Sequence, residues 1–507
     1  MVEAKQLVAS WLNGRATVTN EGELQLRQPS KGSLAEKLQR AYRWISEQAI
    51  LSPYVDVEFG TPIHLNQGEQ RITLHDQDGY SSFILLPLLT LATGRRMVFL
   101  GAPGRGKTSV ATLMALLAGH TLEEVRRGIQ HGHPQLTIAD LLGSPLPSDL
   151  VRATAASEIR VSWRDWISMR VKIIDEYNRI PTKTQSALLS LMSEGYAEMY
   201  EQIIHSGPSA WFLTANDDLG GGTFQVIEAL RDRIDVVARC TPFHAQHLHV
   251  LAERIASAHS AEDFVPGDII FTPDELDEMR QELRNIEIPP DVLEVLGFLL
   301  GQLDFCRRAS QQLEYMNKDT LHLAGRRVGH VCTEDCPLDK HENLCSQTEN
   351  GVSPRAYQAL IHYAKALAYF RGEQAVSTED FRQLLPWVLF DKLKTNPQSA
   401  FFQKLENKHY LSDRVSWIRQ LFDRALQQHA AYRSSRQGVH RLQQHLPASL
   451  ENLTTSDLQH HARHIQQLMR ELLERNELNG PVYEDLLRLK HLYSRCQDHL
   501  SRRLRPR

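Results

Sequence analysis

Residues 97–117 read MVFLGAPGRGKTSVATLMALL, an apolar run followed by a glycine-rich loop and a second apolar stretch. The four residues before Gly101 predict a buried strand, and the pattern after Ser109 predicts a helix. Between them, GAPGRGKTS fits G-x-x-x-x-G-K-[ST], in which glycines let backbone N–H groups curl around phosphate at a helix N-terminus. The stretch therefore predicts a nucleotide-phosphate site between a strand and a helix.

Each residue type in this loop has an expected task. Lys107 is expected to reach the β- and γ-phosphates of ATP, and Thr108 is expected to ligate Mg²⁺. The residues expected to hold the nucleotide are Gly101, Pro103, Gly104, Gly106, Lys107, Thr108 and Ser109. A chance match to the pattern is not rare, so the strand before it and the helix after it are what make it informative.

A second apolar strand ends in two adjacent acids, in the stretch VKIIDEYNRIP at 171–181. Asp175, at the tip of the strand, suits the shell of the Mg²⁺ ion, and Glu176 is placed to polarise the attacking water. The pair favours hydrolysis over nucleotide binding alone. The alternative is an acidic pair on the surface after a core strand.

A third strand, AWFLTAN, ends in Asn216, and the stretch EALRDRID follows it. The Asn216 amide could hold the water or the γ-phosphate from the side opposite Glu176, although asparagine at a strand end is usually a turn residue. Arg231 or Arg233 could reach across a subunit boundary to a neighbour's γ-phosphate. The alternative for these arginines is a surface salt bridge with a nearby aspartate.

Composition limits the class of protein. The chain has 507 residues, and this length predicts two to four domains. Charged residues make up 23% of it and the net charge is −4, which indicates no overall preference for nucleic acid. The N-terminal sequence lacks the pattern of a secretory signal, and the longest apolar run, 83–93, is too short to span a bilayer. These features predict a cytoplasmic protein without a membrane span.

Apolar runs at 171–175, 210–216 and 235–240 alternate with helical stretches, which predicts an α/β fold with a parallel sheet. Beyond Phe243 the pattern is almost entirely helical, apart from the polar stretch 307–353. Upstream, VDVEF at 55–59 and RITLHD at 71–76 predict two short strands of a hairpin-like element.

The stretch IIDEYNRIPTKTQSALLSLMSEG resembles the Walker B region of MoxR-type AAA+ ATPases, which combines DE-x-NR, a proline and a helix with Q-x-ALL-x-x-M-x-E. The residues that match it are Pro181, Gln185, Ala187, Leu188, Leu189, Met192 and Glu194. GIQHGHPQLTIADLLGSP is similar to the I-Q segment of the family, and the stretch 353–393 is similar to the end of its lid. The resemblance covers about Leu86 to Leu393 and does not fix the subfamily.

The resemblance implies an AAA+ P-loop core with a helical lid, hydrolysis of ATP with Mg²⁺, and assembly into a ring, expected to be a hexamer. It implies Arg355 as the sensor 2 arginine, which reaches the nucleotide from the lid. It favours Arg233 as the finger that acts on the neighbouring subunit, but the family's Leu-Asp-Arg-Phe is absent here, so Arg231 could also serve.

The resemblance also implies chaperone-like remodelling of client proteins, commonly alongside a partner with a von Willebrand factor A domain. Candidate levers on a client are residues 130–150 and a hairpin expected at 199–209; each could instead be connecting structure. The expected parts of the chain are an N-terminal helix and hairpin region (1–79), the AAA+ α/β core (80–243), the helical lid (244–305 and 350–406), a cysteine-rich metal-binding insertion (306–349) and a helical C-terminal region (407–507).

Three of the six cysteines lie in HVCTEDCPLDKHENLC at 330–345. The spacing C-x3-C-x4-H-x3-C of Cys332, Cys336, His341 and Cys345 predicts a structural zinc knuckle, and the stretch has too few apolar residues to fold unaided. Three alternatives stay open. Cys306 could supply a fourth thiolate for an iron–sulfur cluster, His330 could replace His341, or the loop could hold no metal.

The favoured function is therefore a protein-remodelling ring ATPase. One alternative is a nucleic-acid-directed AAA+ motor, because residues 408–507 are locally basic and could form a docking surface, although a solvated helical face is the ordinary reading of such charge. Another is a nucleotide-controlled scaffold with little turnover. Glu176 argues against the scaffold, since a switch needs no base to polarise water.

Overall fold

The structure is a computed structural model. It describes residues 16–18, 24–26, 32–50, 54–67, 70–216, 226–240, 242–257, 260–333, 336–338, 341, 343–433, 436, 438–439, 441–442, 450–451, 453–475 and 478–504. Among the helices in these ranges, none combines the length and the apolarity that a bilayer span requires.

The N-terminal region consists of short antiparallel strand pairs and two helices. Its elements are β1 (Ala16–Val18), β2 (Leu24–Leu26), α1 (Leu34–Trp44), β3 (Val57–Glu58), β4 (Pro62–Gln67), β5 (Gln70–His75), β6 (Gly79–Tyr80) and α2 (Ser82–Thr93). The strands pair as β1 with β2, β3 with β6 and β4 with β5. The predicted pairing of 55–59 with 71–76 was wrong, because Ile63 and Leu65 of β4 lie opposite apolar residues of β5 and such cross-strand pairs stabilise a hairpin.

The next part of the chain alternates strands and helices. Its elements are β7 (Arg96–Leu100), α3 (Lys107–Leu117), α4 (Leu122–Gly128), β8 (Gln130–His131), α5 (Ile138–Leu142), β9 (Gly143–Pro145), α6 (Pro147–Arg152), β10 (Val161–Trp163), β11 (Val171–Asp175), α7 (Thr182–Glu194), β12 (Tyr196–Met199), β13 (Gln202–His205), β14 (Ala210–Ala215), α8 (Glu228–Arg233) and β15 (Val236–Arg239). Five of these strands form one parallel sheet in the order β15-β7-β14-β11-β8, which confirms the predicted α/β core.

The sheet is buried on both faces, as expected for parallel strands. Alternate residues of a strand point to opposite faces. Phe99 and Phe212 therefore join the large apolar core that includes Val110 of α3, whereas Val98 and Leu213 join a second apolar cluster. The carboxyl ends of β7, β11 and β14 thus share one edge of a rigid sheet.

Two antiparallel pairs lie outside this sheet, β9 with β10 and β12 with β13. The second pair forms a hairpin from Tyr196 to His205, which begins and ends a few residues before the hairpin predicted at 199–209. At its tip Tyr200 and Glu201 have φ angles of 50° and 60°, the left-handed conformation that a tight two-residue turn requires.

The remainder of the described chain is helical, as predicted. Its helices are α9 (Leu248–Ser257), α10 (Pro273–Asn285), α11 (Pro290–Asp304), α12 (Lys318–Leu323), α13 (Val328–Thr333), α14 (Pro354–Arg371), α15 (Thr378–Leu389), α16 (Ala400–Gln403), α17 (Arg414–Tyr432), α18 (Thr455–Arg475) and α19 (Gly480–Leu504). α14 packs on α2, where the hydroxyls of Thr90 and Tyr363 are 2.7 Å apart. α18 and α19 pack on each other around an apolar cluster of their own.

Candidate active site

The glycine-rich loop joins β7 to α3. Gly104 and Gly106 have φ angles of 73° and 74°, a conformation that residues with a side chain rarely adopt. A Cβ atom added at either position would meet no atom within 4 Å. These glycines are therefore needed for the backbone conformation of the loop and not for space.

Lys107 begins α3, and its side chain is buried with 7% exposure. Its ammonium donates to the carbonyl oxygens of Gly101 and Ala102, at 2.5 and 3.1 Å, and to Oδ1 of Asn216 at 2.6 Å. All three acceptors are neutral oxygens. The positive charge of Lys107 therefore keeps its attraction for the phosphate predicted beside it.

Asp175 brings the first two motifs together at the edge of the sheet. Its Oδ1 accepts hydrogen bonds from the hydroxyls of Thr108 at 2.9 Å and Thr214 at 2.6 Å, and its Oδ2 is 3.4 Å from Nδ1 of His131. Hydroxyl and carboxylate oxygens are the hard ligands that Mg²⁺ prefers. Thr108 and Asp175 therefore fit the predicted Mg²⁺.

Glu176 follows directly and is held on both carboxylate oxygens. Its Oε1 accepts from Nδ2 of Asn216 at 2.7 Å, and its Oε2 is 3.1 Å from Nη1 of Arg179. Its backbone N–H donates to the Thr214 hydroxyl at 2.9 Å. The residue has a φ of 52°, which costs about 1–3 kcal/mol outside glycine and is typical of functional sites.

A neighbouring glycine makes this conformation possible. A Cβ atom at Gly132 would lie 2.2 Å from the carbonyl oxygen of Glu176, so no larger residue fits there. The backbone N–H of Gly132 also donates to the Asp175 carbonyl at 2.7 Å. The acidic pair is thus fixed from the side of β8 as well as from β14.

Lys107, Asn216 and Glu176 form one hydrogen-bonded series, so the structure brings together residues from three separate sequence motifs. Sequence reasoning missed Thr214, which bridges Asp175 and the Glu176 backbone. The signal was its position, a polar residue in the apolar strand AWFLTAN, because a fully buried hydroxyl must have a partner.

A cavity of about 430 Å³ opens beside the loop. Its walls include Ile50, Gly106, Leu113, Phe243 and Leu251, which are mostly apolar. A largely apolar cavity of this size suits a flat organic group next to the phosphates. Sequence reasoning missed the cavity because its walls come from segments far apart in the chain.

The two candidate finger arginines lie in the last turn of α8. Arg231 is exposed, and its Nη2 donates to the Asp391 carbonyl at 3.4 Å, a long hydrogen bond. Arg233 is half-buried, and its Nη1 donates to the Ala229 carbonyl at 3.0 Å, within its own helix. The assignment of a finger to one of them stays a prediction.

Arg355, at the start of α14, contacts the residue between these two arginines. Its Nη1 is 2.8 Å from Oδ2 of Asp232, and the Ser353 hydroxyl donates to Oδ1 of the same carboxylate at 2.7 Å. Burial alone would raise the pKa of Asp232, but the hydrogen bonds from Arg355 and Ser353 hold it below its ordinary value. The sensor 2 role of Arg355 stays a prediction.

The predicted zinc ligands are spread over several short elements. Cys332 lies in α13 and Cys345 in a short 3₁₀ turn, while His341 is exposed and lines a groove beside Cys332 and Lys404. Burial raises the pKa of the Cys345 thiol to about 12. In the described ranges no three or more histidine, cysteine, aspartate or glutamate side chains are arranged to hold a metal ion as they stand, so the zinc site stays a prediction.

Comparison with protein families identifies the reaction to which the residues at the sheet edge belong. The model described as "ATPase family associated with various cellular activities (AAA)" matches residues 96–236, and the AAA lid domain matches residues 341–409. This chain contains an AAA ATPase domain followed by an AAA lid domain. It therefore uses ATP with Mg²⁺, and the constellation of Lys107, Asp175 and Glu176 lies inside the matched ATPase region.

Two similar proteins show how much of the chain has known relatives. The protein YeaC of Bacillus subtilis (strain 168), which is uncharacterized, is 24% identical over 314 residues, which are 59% of this AAA+ chain and 85% of YeaC. A crystal structure of a candidate ATPase from Cytophaga hutchinsonii has 17% identity and a TM-score of 0.50, over 76% of this chain and 94% of that one. At that identity the second likeness shows the fold alone.

Proposed function

We propose that this ATPase is a MoxR-type AAA+ protein that works as a ring, expected to be a hexamer, and remodels client proteins. The observation that carries the catalytic part of the proposal is the hydrogen-bonded series Lys107, Asn216 and Glu176 at the carboxyl edge of the sheet. It supports hydrolysis, because a nucleotide switch without turnover needs no carboxylate held toward the phosphate site.

The residues divide the reaction between them. Lys107 exchanges one of its neutral acceptors for an oxygen of the γ-phosphate, and Mg²⁺ held by Thr108 and Asp175 would neutralise phosphate charge. Glu176 polarises the attacking water and takes its proton. Asn216 fixes the direction of the Glu176 carboxylate through its amide, so the base is oriented before ATP binds.

Exposed apolar residues on α6, the helix between β9 and β10, and on the β12–β13 hairpin support a client that is a protein. Val151, after β9, is 87% exposed, and Ile203 and Tyr200 on the β12–β13 hairpin are also exposed. Apolar side chains at such positions suit contacts with another chain. The MoxR assignment, the hexamer and a partner with a von Willebrand factor A domain rest on the sequence resemblance.

Mixing two inactive variants tests whether subunits share sites. Glu176→Gln removes the base but keeps the finger, whereas Arg233→Ala keeps the base but removes the finger. In a ring, the finger of a Glu176→Gln subunit completes the intact site of an adjacent Arg233→Ala subunit, so ATPase activity should return on mixing.

The same mixture made with Arg231→Ala separates the two candidate fingers, because only the variant that lacks the true finger is inactive and can be rescued. Activity that stays absent in both mixtures, with each protein folded and binding ATP, would contradict shared sites. Particle symmetry by electron microscopy gives the number of subunits.

A second assay separates protein clients from nucleic acid. ATP hydrolysis is measured alone and with single-stranded DNA, double-stranded DNA or RNA at matched salt. We expect no stimulation by any of them. A clear increase in kcat with nucleic acid would favour a nucleic-acid-directed motor and overturn the remodelling proposal.

A further inference from the structure

A second small cavity, away from the nucleotide loop, is lined by four of the six cysteines. They are Cys306, Cys332, Cys336 and Cys345. Their spacing along the chain is C-x25-C-x3-C-x8-C. No disulfide links any of these four cysteines.

Separate elements bring these residues to one place. Cys306 follows α11, where its backbone N–H donates to the Met316 carbonyl at 3.0 Å. Cys332 lies in α13, and Cys345 lies in the turn at Leu344–Gln347. Cys306 is thus carried from the lid helix to three cysteines that are at least 26 positions farther along the chain. Sequence spacing alone does not predict that Cys306 lies near the other three cysteines.

A buried lysine faces the cavity. Lys318 begins α12, has no exposed surface, and donates to the Thr348 hydroxyl. It lines the same cavity as Cys306, Cys332 and Cys345. A buried ammonium is costly without a counter-charge, and four metal-bound thiolates carry an excess of negative charge that would compensate it.

We propose that Cys306, Cys332, Cys336 and Cys345 bind a metal centre through four thiolates, with His341 outside the ligand set. The side chains are not a ready-made ligand set as they stand. Rotation about the Cα–Cβ bond moves a cysteine sulfur without moving the backbone, so we expect the set to close around a metal through side-chain rotation.

The space between the four cysteines favours a small centre. The cavity has a volume of about 10 Å³, which is room for about one water-sized sphere. A single Zn²⁺ ion fits that space better than an iron–sulfur cluster does, although four thiolates are a common ligand set for both.

The surroundings indicate a structural task for the centre. Among the described residues, two small apolar clusters line the cavity, one with Leu321, Val328 and Val331, and one with Phe305 and Leu338. Clusters of this size bury too little apolar surface to order a segment of this length alone. A bound metal would supply the missing stability and fix the insertion between the lid and α19.

Metal analysis of the full-length chain, purified without oxygen, tests the proposal directly. We expect close to one zinc per chain and no visible absorption. A brown protein with iron and acid-labile sulfide would also support the four-thiolate centre and would assign it as an iron–sulfur cluster. A folded protein that holds neither metal, and takes up neither after supplementation, would overturn the proposal.

Two variants separate the four-thiolate set from the set with histidine. Cys306→Ser should lose most of the metal, whereas His341→Ala should keep it. The reverse result, with full metal in Cys306→Ser and loss in His341→Ala, would refute the assignment. Cys496→Ser is the matched control, because it removes a buried thiol from the α18–α19 cluster, away from the cavity.

If Cys306→Ser folds poorly, a second variant still tests whether Cys306 is a metal ligand. Cys306→His restores a side chain that can ligate zinc, so it should recover metal content and solubility if the residue is a ligand. If Cys306 only fills the core, the larger imidazole should make folding worse than serine does. Metal bound per folded chain, measured after gel filtration, distinguishes these results.

Discussion

Replacing Glu176 with glutamine separates its chemistry from its structural role. The substitution keeps the length and shape of the side chain, and its amide oxygen can still accept from Asn216, as Oε1 does now at 2.7 Å. What is lost is the base and the ion pair with Arg179. Both partners of that pair are about one-third exposed, so the loss in stability should be below about 1 kcal/mol.

The effect on the reaction should be much larger. A positioned base contributes about 10²–10⁴-fold, which corresponds to about 2.7–5.4 kcal/mol of the activation barrier. We therefore expect kcat for ATP hydrolysis to fall by that factor while ATP affinity stays within a few-fold, because Lys107 and the loop are unchanged. The variant should accumulate in an ATP-bound assembly.

Steady-state phosphate release, binding of a fluorescent ATP analogue and thermal unfolding are measured on the same preparations. The control is Glu123→Gln, which removes the same charge from an exposed position in α4, where Glu123 pairs with Arg127. Hydrolysis within threefold of the parent protein, in a variant that binds ATP, would refute the assignment of Glu176 as the base.

Three further predictions concern buried and interfacial groups. Thr214→Val should lower the free energy of unfolding by about 1–3 kcal/mol, because it leaves the Glu176 N–H unpaired, whereas Thr214→Ser should stay close to the parent protein in urea titrations. Burial lowers the pKa of Lys172 to about 7, so the unfolded chain binds more protons between pH 7 and 10. The free energy of unfolding of the parent protein, relative to that of Lys172→Met, should therefore rise by a few kcal/mol across that window. If the melting temperatures of the two proteins changed with pH in the same way, the buried charge would be contradicted. Asp232→Asn should release Arg355 and lower the Kd for ATP if Arg355 is the sensor 2 arginine. A higher or unchanged Kd would argue against that role.

The sequence predicted the sheet edge well because its chemistry follows from strand order. Residues at the carboxyl ends of parallel strands meet at one edge, so strand order alone predicts that Lys107, Asp175 and Asn216 lie close together. Motif spacing identified the acids and the amide. It could not identify the hydrogen bonds among them, which depend on the register between β11 and β14.

Features formed by segments far apart in the chain could not be predicted from the sequence. The cavity beside the loop takes Ile50 and Leu251 from regions 200 residues apart. Local spacing favours the nearer His341 as a ligand, so the sequence predicts Cys306 only as an alternative ligand. Pairing of β4 with β5 was missed because the stretch between the two predicted strands contains a strand of its own.

The contact of Asp232 with Ser353 and Arg355 has a consequence for cooperativity. One carboxylate ties the lid to the helix that carries both candidate fingers. In the proposed ring, a lid that shifts when its own ATP is hydrolysed would also move the arginine presented to the adjacent subunit. Turnover would then pass from one subunit to the next in order, and the ATPase rate would depend sigmoidally on ATP concentration.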